Sequence, residues 1–294
     1  MPRPEHPVVV VNPRSGGGKA ERFELISECG ARGIEPIVFH PGDDLYEIAR
    51  SAIHSGADAI GVAGGDGSQA VVAALAAEHD VPYVCIPAGT RNHFAADLGV
   101  DREDIVRALD AFAHGVERRI DLARVNGRVF VNNASLGVYA KVVQSDRYRD
   151  AKVETVARML PELLPPLAPP FDLNFIPPRG RAWHGAQLVL VSNNPYRPPR
   201  PGGSGGRGNL DAGLLGVLAI RLAQTPDLIA LIATEATGTP PQLPGWLDFT
   251  VRRFTVESAE PVEIALDGEA GVMDPPLRFE SLASALRVLV CSSA

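Results

Sequence analysis

Ala59-Ile60-Gly61-Val62-Ala63 runs directly into Gly64-Gly65-Asp66-Gly67-Ser68, and the apolar stretch Gln69–Ala77 follows without a gap. The first segment is short and continuously hydrophobic, as a strand buried on both faces of a parallel sheet must be. The second is a turn of three glycines and one carboxylate, and the third has the composition of a buried helix. Glycines at such a turn let the backbone come close to a ligand and adopt positive φ. The unpaired N–H groups of the helix's first turn then favour an anion, typically phosphate. A carboxylate beside a phosphate is repulsive unless it holds a metal or accepts a proton. Asp66 therefore points to phosphoryl transfer.

The same alternation extends in both directions through the first 115 residues. Strand-like runs occur at Pro7–Val11, Pro36–Phe39 and Val81–Ile86, with helical stretches at Lys19–Cys29, Leu45–Ser55 and Gln69–Glu78. Strand and helix in regular succession predict a right-handed, doubly wound α/β layer. In such sheets ligands bind outside the carboxyl ends of the strands, where these glycine turns fall.

Past Gly115 the texture changes. Strand-like segments recur at Arg119–Val125, Arg128–Asn133, Asp172–Ile176, Gln187–Ser192, Leu215–Leu222, Phe249–Glu257, Val262–Leu266 and Arg287–Cys291. Helical patches interrupt them near Lys141–Leu164 and Asp227–Thr237, and Pro161–Pro170 and Asn193–Gly208 read as loops. Many strands with few helices predict a second, mostly antiparallel, sandwich-like domain. The expected division is 1–117 for the α/β domain and 118–285 for the β domain, with the tail 286–294 returning to the first.

Composition narrows the function. At 45% hydrophobic and 21% charged residues, the 294-residue chain reads as globular, with ample core for two domains. Its formal charge of −7, from 28 basic and 35 acidic residues, offers no basic field for nucleic acid. Cys29, Cys85 and Cys291 are too scattered for a metal cluster or a disulfide framework and read as thiols in a reducing compartment. The longest apolar candidate, Leu214–Ala233, is broken by Arg221, Gln224, Pro226 and Asp227, well short of the roughly 18 residues a membrane span needs. No transmembrane segment or signal peptide is expected, and a soluble, cytoplasmic protein is.

Two more turns carry polar groups at strand ends. The first strand ends in Asn12-Pro13-Arg14-Ser15-Gly16-Gly17-Gly18-Lys19, which lacks Walker A spacing because Ala20 occupies its last position. The fourth ends in Pro87-Ala88-Gly89-Thr90-Arg91-Asn92-His93-Phe94-Ala95, where Thr90 and Asn92 either cap a helix or touch phosphate or ribose. Three such turns on one sheet edge are a stronger signal than any one of them.

In this order and spacing, Asn12-Pro13-x-Ser15-Gly16, Gly64-Gly65-Asp66-Gly67-Ser68 and Pro87-x-Gly89-Thr90-x-Asn92-x-x-Ala95 resemble the catalytic domain of diacylglycerol kinases, to which bacterial lipid kinases and sphingosine kinases are similar. The Gly-Gly-Asp-Gly element alone is shared with NAD kinases and phosphofructokinases. Downstream, Val131-Asn132-Asn133-Ala134-Ser135-Leu136-Gly137, Val191-Ser192-Asn193-Asn194 and Leu266-Asp267-Gly268-Glu269 extend the resemblance over nearly the whole chain. It implies a Rossmann-like nucleotide domain, a β-sandwich lipid-binding domain, and ATP and Mg²⁺ bound in the cleft between them. It further implies a lipid hydroxyl as acceptor, transient peripheral membrane association, and a homodimer as one possible assembly.

By that resemblance Glu269 is the general base, with Asp267 beside it, and Asp66 handles Mg²⁺ or assists deprotonation. Gly64, Gly65, Gly67, Ser68, Gln69, Ala70, Gly89, Thr90 and Asn92 would hold the nucleotide, with Asn12, Ser15, Gly16 and Lys19 nearby. A plain hairpin turn is the alternative reading of Asp267–Glu269, since Asp-Gly favours one by itself. The chain departs from the family's pattern at Ala212, which replaces a frequent structural Mg²⁺ ligand. Asp211 stands one residue early, where strand alternation would aim it at the opposite face. His40 stands where a nucleotide-contacting threonine is common. Two other functions remain open: a kinase of the NAD kinase type acting on a soluble substrate, and a nucleotide-binding regulatory protein without turnover.

Overall fold

The computed structural model describes residues 3–137, 171–197, 206–221 and 245–291. The expected helices near 141–164 and 227–237 and the proline-dense 161–170 lie outside those residues, as does part of the 193–208 loop. The chain divides into two compact units: Met1–Leu122, Val129–Asn132 and Leu282–Ala294 form one, and Ala123–Arg128 with Asn133–Ser281 the other.

The first half runs β1 (Pro7–Val11), a 3-10 turn at Ser15–Gly17, α1 (Lys19–Arg22), α2 (Leu25–Ala31), β2 (Glu35–Val38), α3 (Leu45–His54), β3 (Ala59–Gly64), α4 (Asp66–Glu78), β4 (Tyr83–Pro87), α5 (His93–Leu98), α6 (Ile105–Ala108), α7 (Ala111–His114) and β5 (Val116–Val125). There follow β6 (Arg128–Phe130), β7 (Asn133–Gly137), β8 (Leu188–Asn193), β9 (Tyr196–Arg197), β10 (Gly206–Arg207), β11 (Leu215–Ile220), β12 (Trp246–Val251), β13 (Arg253–Val256), β14 (Val262–Leu266), β15 (Glu269–Met273) and β16 (Leu277–Val290).

In the first unit β2, β1, β3 and β4 pair in parallel in that order, and β16 joins β4 in parallel through Val288 and Tyr83. Every residue of β1, β3 and β4 is buried, as the unbroken apolar runs require. Burying each valine of β1 contributes about 1.5–3 kcal/mol before entropy is counted. Because these strands are parallel, their carboxyl ends share one edge, and the glycine turns after β1, β3 and β4 meet there.

The helix expected over 19–29 is two helices broken at Glu24, whose φ is 47°. Ala20 and Leu25, both buried, are five residues apart, about 140° around a continuous helix. The break brings both onto the core side. Aspartate caps start two later helices. Asp44 accepts the N–H of Tyr46 at 2.9 Å ahead of α3, and Asp104 that of Arg107 at 2.9 Å ahead of α6.

The second unit holds a six-stranded sheet in the order β12-β11-β8-β7-β14-β15, antiparallel at every pairing. The run expected as one strand over 249–257 is two. Arg252 turns the chain, so that β12 pairs with β11 and β13 with the start of β16. Phe249 and Phe254 have opposite strand parity, and this bend lets their rings meet at 5.6 Å in a cluster with Phe175. Asp172–Ile176 is not a full strand; it makes isolated bridges from Asn174 to Glu257 and from Phe175 to Trp183. The architecture is the expected one: an α/β layer built on parallel strands, then a separate antiparallel β region.

Candidate active site

The site is best followed turn by turn along the edge of the first unit. After β1, the N–H of Asn12 donates to the Ala63 carbonyl at 3.1 Å, tying this turn to the end of β3. The Asn12 carboxamide oxygen accepts the Arg14 N–H at 3.1 Å. Gly16, Gly17 and Gly18 follow with φ of 56°, 67° and 80°, a left-handed run that only glycine adopts cheaply. A Cβ on Gly16 would lie 2.3 Å from the Ala88 carbonyl oxygen, so the first turn rests against the third. Lys19, at the start of α1, donates its ammonium to the Arg102 carbonyl. Ser15 is half-buried within the 3-10 turn.

After β3, Gly65 precedes the first turn of α4 and Asp66 opens it. A Cβ on Gly64 would lie 2.7 Å from the Ser68 Cβ. The Asp66 carboxylate accepts the His93 N–H at 3.0 Å on one oxygen and the Phe94 N–H at 3.1 Å on the other. It thus caps α5 across 27 residues of sequence. The cap expected from Asn92 is not made: Asn92 bonds no N–H of α5's first turn.

Asn92 acts inside its own turn. It is buried with φ of 51°, accepts the Gly89 N–H at 2.9 Å, and donates to the carbonyls of Pro87 and Gly89 at 3.1 and 2.7 Å. The Gly89 N–H also reaches the Gly64 carbonyl at 3.0 Å. A Cβ on Gly89 would sit 2.3 Å from the Gly65 Cα, so the two turns touch backbone to backbone. Thr90 is exposed.

Gln69 lies beneath this arrangement and is almost fully buried. Its amide nitrogen reaches the carbonyls of Val62, Gly64 and Ile86 at 3.2, 3.1 and 3.0 Å, and its oxygen accepts the Tyr83 hydroxyl. Both polar atoms of Gln69 are occupied by protein, and Ala70 presents only a buried methyl. Among the polar side chains expected to meet a nucleotide, Asn92 and Gln69 therefore fix the turns. Ser15, Ser68, Thr90 and Asp66 line them with polar groups not enclosed in the core.

In the second unit, Asp267 and Gly268 form the two-residue turn joining β14 to β15, with φ of 49° and 89° and Leu266 paired to Glu269. Positive φ at both positions is the type I′ geometry that Asp-Gly favours. Asp267 is locked to β7: its N–H donates to the Asn133 carbonyl at 2.9 Å, and its carboxylate accepts the Asn133 N–H at 3.1 Å. Asn133 in turn donates to the Tyr196 hydroxyl at 3.1 Å. Glu269, at the first position of β15, is exposed. The hairpin reading holds, and this turn leaves the Glu269 carboxylate exposed at the start of β15.

Asp211 is exposed and precedes β11, whose first residue is Leu215, so the pleat does not govern where it points. The neighbouring Ala212 N–H donates to the Asn194 side chain at 3.0 Å. Among the described residues no three His, Cys, Asp or Glu side chains gather as a metal cage. Asp66 still fits Mg²⁺ brought by a nucleotide. Each of its oxygens accepts one N–H and keeps a second lone pair, and Mg²⁺ with nucleotides uses only one or two carboxylates plus phosphate oxygens. His40 lies exposed beside Asp43 at 3.5 Å.

The sequence reading missed Tyr83 and Asn133 as parts of the site's support. Tyr83 carried a signal: its hydroxyl sits in an otherwise apolar strand and needs a buried partner.

Residues 6–125 match the family described as the diacylglycerol kinase catalytic domain. The chain is 29% identical to "Diacylglycerol kinase" of Bacillus subtilis, over 91% of this chain and 90% of that protein. It is 28% identical to "Probable lipid kinase YegS-like" of Pseudomonas aeruginosa, over 96% and 93%. Two crystal structures from Bacillus anthracis str. Sterne share the fold over 99% of each chain. One has a TM-score of 0.76 at 19% identity, and the other, of a diacylglycerol kinase, 0.70 at 18%. Motifs, fold and sequence similarity agree: residues 6–125 match the diacylglycerol kinase catalytic domain family, and the chain as a whole is similar to proteins named diacylglycerol kinase.

Proposed function

We propose that this protein transfers the γ-phosphoryl group of ATP to the hydroxyl of a lipid such as diacylglycerol or a sphingoid base. The observation that carries this reading is the mutual locking of the turns after β1, β3 and β4 by Gly16, Gly89, Asn92 and Asp66. Such a scaffold costs no reorganisation when charge develops on a transferring phosphoryl group.

Ser15, Ser68, Thr90 and the backbone N–H groups at the start of α4 hold the phosphates. Asp66 would hold Mg²⁺ with the nucleotide, and a cation held there would supply charge neutralisation for the transfer. Glu269 accepts the proton of the lipid hydroxyl as the oxygen bonds to the γ-phosphorus and ADP leaves with the bridging oxygen. Asp267 keeps the hairpin that carries Glu269 in register. A cytoplasmic protein meeting the bilayer transiently suits this chemistry.

Purified protein incubated with Mg²⁺, labelled ATP and a lipid panel tests the reading. Label on diacylglycerol or a sphingoid base is expected; label on no lipid defeats it. Including NAD in the panel separates the soluble-substrate alternative, which needs only the Gly-Gly-Asp-Gly turn. Nucleotide binding with no transfer to any acceptor would favour a regulatory protein.

A further inference from the structure

Arg207 is 5% exposed, and among the described residues of the second unit it is the one charged side chain so enclosed. A guanidinium keeps its proton in a protein, so burying it is costly unless acceptors meet its N–H groups. Its Nη1 donates to the carbonyl of Asn193, the last residue of β8, at 2.9 Å. No step of the proposed transfer uses this residue.

Arg207 belongs to β10, which pairs antiparallel with β9 and sets Arg207 opposite Tyr196. This ribbon, two residues per strand, stands apart from the six-stranded sheet. A two-stranded ribbon is marginal in water by itself and needs tethers. Arg207 fastens one of its strands to the end of β8. On the other strand the Tyr196 hydroxyl accepts the side-chain amide of Asn133, in β7, at 3.1 Å. β7 and β8 are paired at that point, Asn133 against Ser192, so the contacts close a ring. The β8 end is itself fixed: the Ser192 hydroxyl donates to the Asn194 carbonyl at 2.7 Å, and the Asn194 N–H to that of Leu214 at 3.1 Å. Asn133 is shared between this ring and the acidic hairpin, because its backbone N–H and C=O both bond Asp267.

We propose that Arg207 is a positioning residue for Glu269. It clamps the β9/β10 ribbon, and the ribbon, through Tyr196, braces Asn133 against the turn that carries the proposed base. A base held slightly out of place loses rate, because proton transfer needs hydrogen-bond reach of the attacking hydroxyl. Nucleotide binding, assigned to the turns of the first unit, is spared. The catalytic part of this role rests on the lipid-kinase reading; the brace itself does not.

Two variants of the full chain test it. Arg207→Met removes the buried charge, and Tyr196→Phe removes only the hydroxyl of an exposed ring, so the second decides if the first does not fold. Both should speed amide hydrogen exchange at Gly268 and Glu269 and leave residues 64–68 unchanged. With ATP, Mg²⁺ and diacylglycerol, Arg207→Met should lower kcat about tenfold and Tyr196→Phe about threefold, at unchanged KM for ATP. Arg207→Lys, which keeps a cation near the Asn193 carbonyl, should recover part of the loss. In a Glu269→Gln background neither change should lower the residual rate further. Hairpin exchange unchanged in Tyr196→Phe overturns the proposal, as does an equal fold-loss with and without Glu269. If wild type phosphorylates no lipid, the catalytic reading falls and hairpin exchange alone decides the brace.

Discussion

The Tyr83 hydroxyl donates to the side-chain oxygen of Gln69, and both residues lie within the core directly beneath the glycine turns. Gln69 passes this contact to three strand-end carbonyls, so a phenol in β4 helps set the backbone where phosphates are proposed to sit. Tyr83→Phe removes one donor and leaves a buried amide oxygen unpaired, which costs about 1–3 kcal/mol. Urea unfolding should show that loss with an unchanged denaturant slope. The KM for ATP should rise more than kcat falls. A loss of kcat alone would contradict the positioning role.

Gly17 and Gly89 separate backbone conformation from close approach. Gly17 has φ of 67° and open space around its Cβ direction, whereas Gly89 would place a Cβ 2.3 Å from the Gly65 Cα. Gly17→Ala should cost only the left-handed strain, about 1–2 kcal/mol, and keep nucleotide binding. Gly89→Ala forces two turns apart, costs about 1–3 kcal/mol, and should abolish the thermal shift given by ATP. Equal ATP shifts in the two variants would refute the contact argument.

Glu269 and Asp267 occupy one hairpin, and the proposed mechanism gives them different work. Glu269 is exposed, so Glu269→Gln should leave stability within about 0.5 kcal/mol of wild type while lowering kcat by about 10²–10⁴. Asp267 accepts the Asn133 N–H, so Asp267→Ala should lower both stability and activity. Thermal unfolding beside steady-state kinetics distinguishes them. A Glu269→Gln variant as active as wild type would remove the proposed base.

Much of the fold was legible because its strands are buried on both faces. Pro7–Val11 and Val262–Leu266 have the same bounds in the sequence reading and in the structure: the first is a continuous apolar run, the second is apolar but for Glu263, and each stops at a turn residue, Asn12 or Asp267. The β15 strand escaped notice because Glu269-Ala-Gly-Val-Met is mostly exposed and lacks alternation; β14 supplies its pairing. At the site, the motifs located the turns but could not say which polar groups face inward. The family resemblance made Gln69 and Asn92 ligand contacts, yet backbone carbonyls claim their amides: Ile86 that of Gln69, and the turn's own Pro87 and Gly89 that of Asn92. The reach from Gln69 to Ile86, seventeen residues on, has no local signature.

Glu117 supplies a pH test in the first unit. Its carboxylate receives Arg287 at 2.9 and 2.8 Å, one contact on each oxygen, and this pairing holds its pKa below the ordinary 4.5. A depressed folded-state value means the unfolded chain binds the proton more tightly. The stabilisation is therefore complete above pH 4.5 and fades as pH falls through the folded value. Both side chains are largely shielded, at 16% and 26% exposure, so the contribution is about 1 kcal/mol rather than the smaller worth of a fully solvated pair. Glu117→Gln should lower stability at neutral pH and lose less than wild type between about pH 5 and pH 3. Urea midpoints measured across that range should converge toward the acid end. Parallel curves for the two proteins would mean that the ion pair does not couple to folding.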